Sequence, residues 1–392
     1  MTSQETIELS QANILPTYKR FPIVIDHGSG CRLYDPEGNE YLDFTSGIGV
    51  ASLGYGDPAW VSAVSEQAAR LAHVSNLFHT EPPARLAAEL VRRTGMSGVF
   101  FANGGGEANE GLIKCARKYS HDRYGDGRAT VVSLVQSFHG RTVTTLAATG
   151  QDVFHQHFFP FTEGFVHVAA NDAAALDEAL TPDVCAVMVE LVQGEGGVLP
   201  LSQDYVDHLA TVCAERDILL CVDEVQTGVG RTGSLFAFER YGIQPDIVSF
   251  AKGIAGGLPM GGIMVGSRCK DVLGPGDHAT TFGGNPVAAA GALVVLERMD
   301  DAFLADVAAK GEYLRAQVRS WNSPHVTDVR GAGLMVGIEV DTAPGEVVSR
   351  CIERGLLALT AGSSAVRLLP PLVITRDEID EGLAILREAI ES

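Results

Sequence analysis

The spacing of apolar positions changes twice along this chain of 392 residues. The first part, FPIVIDHGSGCRLYDPEGNEYLDF, alternates short apolar pieces with the turn signals His-Gly-Ser-Gly and Pro-Glu-Gly-Asn, which predicts a small antiparallel meander. From about Ser46 helix-period segments take over, DPAWVSAVSEQAARLAHV and EPPARLAAELVRRTG among them. They lead into short runs that are apolar throughout: GVFFA, ATVVSLV, VCAVMVELV, ILLCVDEV and DIVSFA. A strand apolar on both faces must be covered on both faces, and alternation with helices supplies that cover. The stretch therefore predicts an α/β fold with a mostly parallel sheet. After about Val287 come helices, then GLMVGIEV and AVRLLPPLVI, then an amphipathic helix. The expected division is a large α/β domain over residues 46–287 and a smaller α+β domain built from 1–45 with 288–392.

Polar residues gather just past the ends of the apolar runs. FFA is followed by Asn103-Gly104-Gly105-Gly106-Glu107, VVSLV by Gln136-Ser137-Phe138-His139-Gly140-Arg141, and AVMVE leads on to Gln193-Gly194-Glu195. LLCV is followed by Asp223-Glu224-Val225-Gln226, and IVSFA by Lys252. Ligands of parallel α/β sheets bind outside the carboxyl ends of the strands, so five strands delivering polar groups to one edge mark a site there.

Charge and cysteine content narrow the partners. Lys and Arg number 29 against 49 Asp and Glu, a formal charge of −20 that repels nucleic acid and anionic membrane surfaces. An anionic substrate would need arginines concentrated locally. The seven cysteines are scattered, without a C-x-x-C pair, and several sit inside apolar runs, as Cys185 and Cys221 do. No basic-then-apolar leader opens the chain and no run reaches the length of a membrane span. The expectation is a cytoplasmic protein.

Each motif has a plain structural reading beside its chemical one. NGGGEANEGLIKCARKYS places glycines at the head of an amphipathic helix, a phosphate cradle or an ordinary strand-to-helix turn. Gly228, Gly230 and Gly233 spell the dinucleotide pattern G-x-G-x-x-G, but five residues, Asp223 to Thr227, stand between the strand and the glycines. A nicotinamide-dependent dehydrogenase stays a rival on that motif alone. Asp223 is either a buried structural carboxylate or the partner of a cofactor ring nitrogen. Lys252 either snorkels to water or is an amine whose pKa burial lowers until it forms a Schiff base. Arg141 and Arg367 lie beside apolar runs and glycines, where planar guanidinium forks suit the carboxylates of a dicarboxylate substrate. Glu195 in QGEGG is placed to pair one of them when no carboxylate is bound. His155 and His157 lack partners at metal-ligand spacing, and no metal is expected. Phosphate cradle, acidic strand end and lysine strand end, in that order, describe a pyridoxal phosphate site.

Nearly the whole chain, from LPTYKRFPI to VRLLPPL, resembles the class III (subgroup II) aminotransferases of fold type I, nearest to the branch acting on acetylornithine with its ornithine and succinylornithine relatives. The matching words are SNLFHTEPPARLAAEL, FFANGGGEANEGLIKCARK, SFHGRT, QGEGGV, DEVQTGVGRTG, PDIVSFAKGIAGGLPMGG, TTFGGNP and VRLLPPL. The resemblance implies a seven-stranded type of large domain, pyridoxal 5′-phosphate, and a homodimer with shared active sites. It implies that Lys252 forms the Schiff base with the cofactor and then moves a proton. Asp223 holds a proton on the pyridine nitrogen, Gln226 lies near the ring hydroxyl, and Phe138 stacks on the ring. Gly105 and Gly106 hold the phosphate together with Thr281 of the partner subunit. Arg141, Thr280 and, in ornithine-type relatives, Tyr18 face the substrate. Arg367 takes the α-carboxylate of glutamate, and Glu195 masks it in the other half-reaction. The activity implied is transfer of the terminal amino group of N2-acetyl-L-ornithine or a close diamino acid to 2-oxoglutarate. Ornithine, succinylornithine, 4-aminobutyrate or a specialised-pathway ω-amine, and a non-catalytic homologue, are the alternatives. Two positions depart from the family's pattern: Asn103-Gly104-Gly105 stands where Asn-Ser-Gly is usual, and Leu191 where proline is usual.

Overall fold

The computed structural model describes all 392 residues. Its centre is a seven-stranded sheet of β1 (Gly98–Ala102), β2 (Thr130–Leu134), β3 (Phe165–Val168), β4 (Val184–Val189), β5 (Leu219–Asp223), β6 (Ile247–Phe250) and β7 (Gly261–Val265). Their spatial order is β1-β7-β6-β5-β4-β2-β3. Strands β2 to β6 pair in parallel, and β7 runs antiparallel between β6 and β1. The five apolar runs of the sequence are β1, β2, β4, β5 and β6. Every residue of β4 is buried, as a strand covered on both faces requires.

Two strands carry no such signal. β3 is half exposed at the sheet edge, and β7 opens on glycines that resemble a loop. Those glycines are required by space: a Cβ on Gly262 would lie 2.2 Å from the Phe100 carbonyl oxygen, and one on Gly261 2.8 Å from that of Gly104. Helix Pro58–Arg70 is capped by Asp57, whose carboxylate accepts from Ala59 and Trp60. Helix Glu81–Thr94 ends on Gly95 in the left-handed region, φ 69°.

The N-terminal meander forms as His27–Ser29, Arg32–Tyr34 and Glu40–Asp43, and its last strand pairs in parallel with Leu356–Leu357 near the other end of the chain. A second sheet holds β8 (Val326–Ala332), β9 (Met335–Val340), β10 (Leu359–Ala361) and β11 (Ala365–Leu368), in the antiparallel order β8-β9-β11-β10. Helix Pro286–Arg298 packs on helices Pro58–Arg70 and Glu81–Thr94, beside the large sheet's layers. One cluster of 65 buried residues runs from Val222 in the large sheet to Phe44 and Ile338 in the smaller unit, so both share a core. Helix Ser3–Asn13 buries no residue and is set by its Thr2–Glu5 capping box, without the apolar stripe that a sequence reading depends on.

Candidate active site

A cavity of about 420 Å³ opens at the carboxyl edge of the large sheet. Its wall is drawn largely from five strand ends: Asn103 to Gly106 after β1, Phe138 to Arg141 after β2, Glu190 and Glu195 after β4, Asp223, Val225 and Gln226 at the end of β5, and Lys252 after β6. This is the strand-end cluster of the sequence, brought to one place by parallel pairing.

Asp223 closes β5 with 3 % of its surface exposed. Oδ2 accepts from Asn109 Nδ2 at 2.7 Å and faces His139 Nδ1 at 2.8 Å, while Oδ1 accepts from the Val225 N–H at 3.0 Å. A buried carboxylate so held is fixed in direction. His139 Nε2 and Asn109 Oδ1 are buried with no protein partner. Lys252 follows β6 at φ 45°, in the left-handed region. Burial pushes its ammonium below the usual lysine range, against the pull of the Glu195 and Asp223 carboxylates. A lysine held this way approaches the neutral, nucleophilic form.

At the cavity floor Glu190 receives the Phe138 N–H at 2.7 Å and the Gly194 N–H at 3.0 Å, and burial raises its carboxyl to about 7. Helix Gly105–Tyr124 points its first turn into the cavity. Its N-cap, Gly104, offers no side chain, so the leading N–H groups are left for a ligand. A Cβ on Gly105 would come within 2.8 Å of Val225 Cγ1, whereas one on Gly104 meets nothing within 4 Å. Glycine is therefore required at 105 and free to change at 104.

Arg367 enters from β11 of the smaller unit, 2 % exposed. Its Nη1 meets Glu195 Oε1 at 2.6 Å and Gln226 Oε1 at 3.0 Å, and Gln226 Nε2 donates to Glu195 at 3.2 Å. Burial pushes the Glu195 carboxyl up, but the Arg367 charge and hydrogen bond bring it below the usual carboxylate range. Arg141 is exposed and forms no ion pair; its guanidinium lies 3.9 Å from the Phe154 ring centroid at the cavity mouth.

Three expected residues are placed elsewhere. Tyr18 is 73 % exposed and lines a separate pocket formed by the N-terminal helix and the segment after it, with Arg20 5.5 Å from its ring. That segment packs mainly on itself, which keeps Tyr18 from the cavity. Thr281 lies outside the cavity, beside Phe282, itself 59 % exposed. Thr280 is near its rim, with Oγ1 accepting from Asn103 Nδ2 at 3.0 Å. Asn109, His139 and Glu190, which complete the floor, were not singled out from sequence, although His139 stands in the SFHGR word.

The glycines of GVGRTG do not form a dinucleotide turn. A Cβ on Gly230 would strike Met299 Sδ at 2.7 Å, and one on Gly233 would strike Ala308 at 2.7 Å, so these glycines serve packing. The arginine between them, Arg231, is 2 % exposed and donates to the carbonyls of Leu334 at 3.0 Å and Pro370 at 2.6 Å. Pro370 follows two residues after β11, so Arg231 ties down the strand that carries Arg367. The dehydrogenase reading has no support in this geometry.

The family model of class-III aminotransferases matches residues 14–390. The chain belongs to that family. It is 51 % identical to the acetylornithine aminotransferase of Haemophilus ducreyi over 100 % of this chain and 99 % of that protein. With the acetylornithine aminotransferase of Caldanaerobacter subterraneus it shares 46 % identity over 96 % of this chain and 97 % of the relative. Among solved structures, the ornithine aminotransferase of Toxoplasma gondii superposes with a TM-score of 0.95 at 32 % identity, over 100 % of this chain and 95 % of that one. The N-acetylornithine aminotransferase of Stenotrophomonas maltophilia gives 0.84 at 35 % identity, over 98 % of each chain.

This class-III aminotransferase is a pyridoxal-phosphate-dependent enzyme of fold type I. The residues present fit the cofactor: free N–H groups at a helix head for a phosphate, a fixed carboxylate, and a desolvated lysine face one cavity.

Proposed function

We propose that the enzyme transfers the terminal amino group of N2-acetyl-L-ornithine to 2-oxoglutarate, giving the semialdehyde and glutamate. The Glu195–Arg367 pair carries this reading. A reaction that alternates between substrates with different carboxylate counts needs a cation exposed for one partner and covered for the other. The pair, bridged by Gln226, provides such a cover within reach of Lys252. The identity to acetylornithine aminotransferases supports the donor.

When bound, pyridoxal phosphate supplies an aldehyde that condenses with amines and a ring that accepts electron density from the substrate carbon. The remaining work falls to this chain. Lys252 Nζ would hold the cofactor at its aldehyde carbon until the donor amine replaces it there, and the freed amine would take the proton from the donor carbon bearing nitrogen and deliver it to the carbon on the other side of that nitrogen. Asp223 keeps a proton at the ring nitrogen, with His139 and Asn109 fixing its orientation. Phe138 and Val225 would wall the ring, Gln226 would serve its hydroxyl, and the Gly105 and Gly106 N–H groups would take the phosphate. Arg141 holds the carboxylate of the diamino acid, with Thr280 nearby. Arg367 takes the α-carboxylate of the keto acid once Glu195 swings away.

We infer a homodimer in which Thr281 of the partner subunit completes the phosphate site. Thr281 lies outside the cavity of its own chain beside Phe282, which is 59 % exposed, and Leu77 and Phe78, 89 % and 65 % exposed, follow Asn76, whose side chain donates to the Thr280 carbonyl at 3.2 Å. An apolar group of that kind is suited to meeting a second copy. All seven cysteines are unpaired and buried, which supports the cytoplasm as its location. No helix is long and apolar enough to cross a membrane. The domain division proposed is residues 46–287 and 1–45 with 288–392.

Purified enzyme given N2-acetylornithine without keto acid should lose the yellow absorption band of the lysine-bound cofactor and gain the pyridoxamine band. A band that persists with this donor while ornithine or 4-aminobutyrate bleaches it would overturn the substrate. A second expected result concerns Gly104, where the structure leaves open space. Gly104→Ser restores the family's hydroxyl at the helix N-cap and should slow cofactor loss on dialysis severalfold, read from residual absorbance. Unchanged or faster loss would mean that backbone N–H groups already saturate the phosphate.

A further inference from the structure

A second cavity, about 820 Å³, adjoins the catalytic one. Glu195 lines both, and Phe154, on whose ring Arg141 rests at 3.9 Å, lines the second. Its other walls include Gln136, Gln151, Ser363 and Ser364, with Arg330 at the back. Resting on the function proposed above, we infer that this chamber holds the acyl group of the donor and selects an uncharged one.

The path follows from the donor's own geometry. Its amine must reach Lys252 while its carboxylate, four carbon–carbon bonds from the amine-bearing carbon, meets Arg141. The acylamino substituent sits on the same carbon as the carboxylate, so it projects past Arg141 and Phe154. The space there is the second chamber. Beside its charged groups it offers the amides of Gln136 and Gln151 and the hydroxyls of Thr360, Ser363 and Ser364, which suit an acetamide carbonyl and N–H.

Charge decides between acyl groups. Arg330 is the cation of the chamber, and it is already engaged: Nη1 meets Asp328 at 2.8 Å and also pairs with Glu339, and Nε donates to the Gly197 carbonyl at 3.0 Å. Ser364 Oγ donates to Glu339 Oε1 at 3.3 Å. Glu195 is matched by Arg367. Two carboxylates against Arg330 leave no positive charge for a second carboxylate such as that of a succinyl group. A further anion beside Glu195 and Glu339, with no free cation to meet it, is repelled, so the succinyl donor is disfavoured.

The test compares kcat/KM for N2-acetylornithine, N2-succinylornithine and 5-aminopentanoate, which keeps the carboxylate and terminal amine but lacks the acylamino group. The native enzyme should prefer the acetyl over the succinyl donor by at least about tenfold. Ser363→Trp, at an exposed loop position, should lower the acetylornithine to 5-aminopentanoate ratio by about tenfold. The double variant Asp328→Asn with Glu339→Gln frees Arg330 and should shift the succinyl to acetyl ratio upward severalfold. Equal use of acetyl and succinyl donors by the native enzyme, or ratios unmoved in both variants, would overturn the chamber. A native enzyme that turns over 5-aminopentanoate and neither acylated donor would instead overturn the proposed function.

Discussion

Lys252→Ala should abolish transamination, with turnover falling by at least about 10⁴-fold, while the melting temperature by circular dichroism stays near that of the native enzyme. Two observations set this result. The Lys252 amine lines the catalytic cavity, and burial lowers its pKa against the pull of two carboxylates, so removing it removes the nucleophile and the proton carrier at once. The backbone there is already strained at φ 45°, an arrangement that costs a lysine and an alanine about the same, on the order of 1–2 kcal/mol. Lys252→Gly, which relieves that strain, should be at least as heat-stable and equally inactive. An alanine variant that folds and keeps more than about one per cent of native turnover would remove Lys252 from the mechanism.

Arg367→Ala should lower the rate of the 2-oxoglutarate half-reaction by about 10²-fold and the diamine half-reaction by much less. The guanidinium is buried and its partners are Glu195 and Gln226, so its removal opens the keto-acid subsite and leaves Glu195 uncovered. Single-turnover absorbance changes measure the two halves separately. Equal damage to both would eliminate the alternating cover and make Arg367 merely structural.

Stability should change too, by about 2 kcal/mol, the low end of the range for breaking such a pair because Glu195 keeps 29 % side-chain exposure. The sign with pH follows from the carboxyl being held below its ordinary range. Its stabilisation is full above the unfolded carboxylate pKa and is lost as pH falls through the folded value. The deficit of the variant should therefore be largest near neutrality and shrink toward acid, as melting curves at stepped pH will record.

Much of the site was visible before folding. Lys252, Asp223, Glu195, Arg141 and the Gly105–Gly106 turn each follow an apolar run, and parallel strands must deliver such residues to one edge. The groups that hold them were hidden. His139 and Asn109 reach Asp223 across 84 and 114 positions of sequence. Nothing local in SFHGR or EANEG announces that pairing, since only the meeting of helix Gly105–Tyr124 and the loop after β2 at the end of β5 creates it. Arg231 was obscured differently: its glycine-rich setting imitates a dinucleotide turn, while its role is to bind carbonyls under β11.

By itself the sequence determined the alternation of buried strands and amphipathic helices, because burial on two faces leaves a periodic trace in residue type. It also marked candidate residues at the strand ends, since a lysine or aspartate closing an apolar run needs an explanation wherever the run goes. Tertiary structure decided what depends on meeting a distant group. It placed β7 antiparallel in the sheet, set Arg367 from the smaller unit on Glu195 of the larger, kept Tyr18 away from its own cavity, and engaged Arg330 with two carboxylates. Each is a pairing across the chain, and hydrogen bonds and ion pairs act over a few ångströms of space, whatever the separation in sequence.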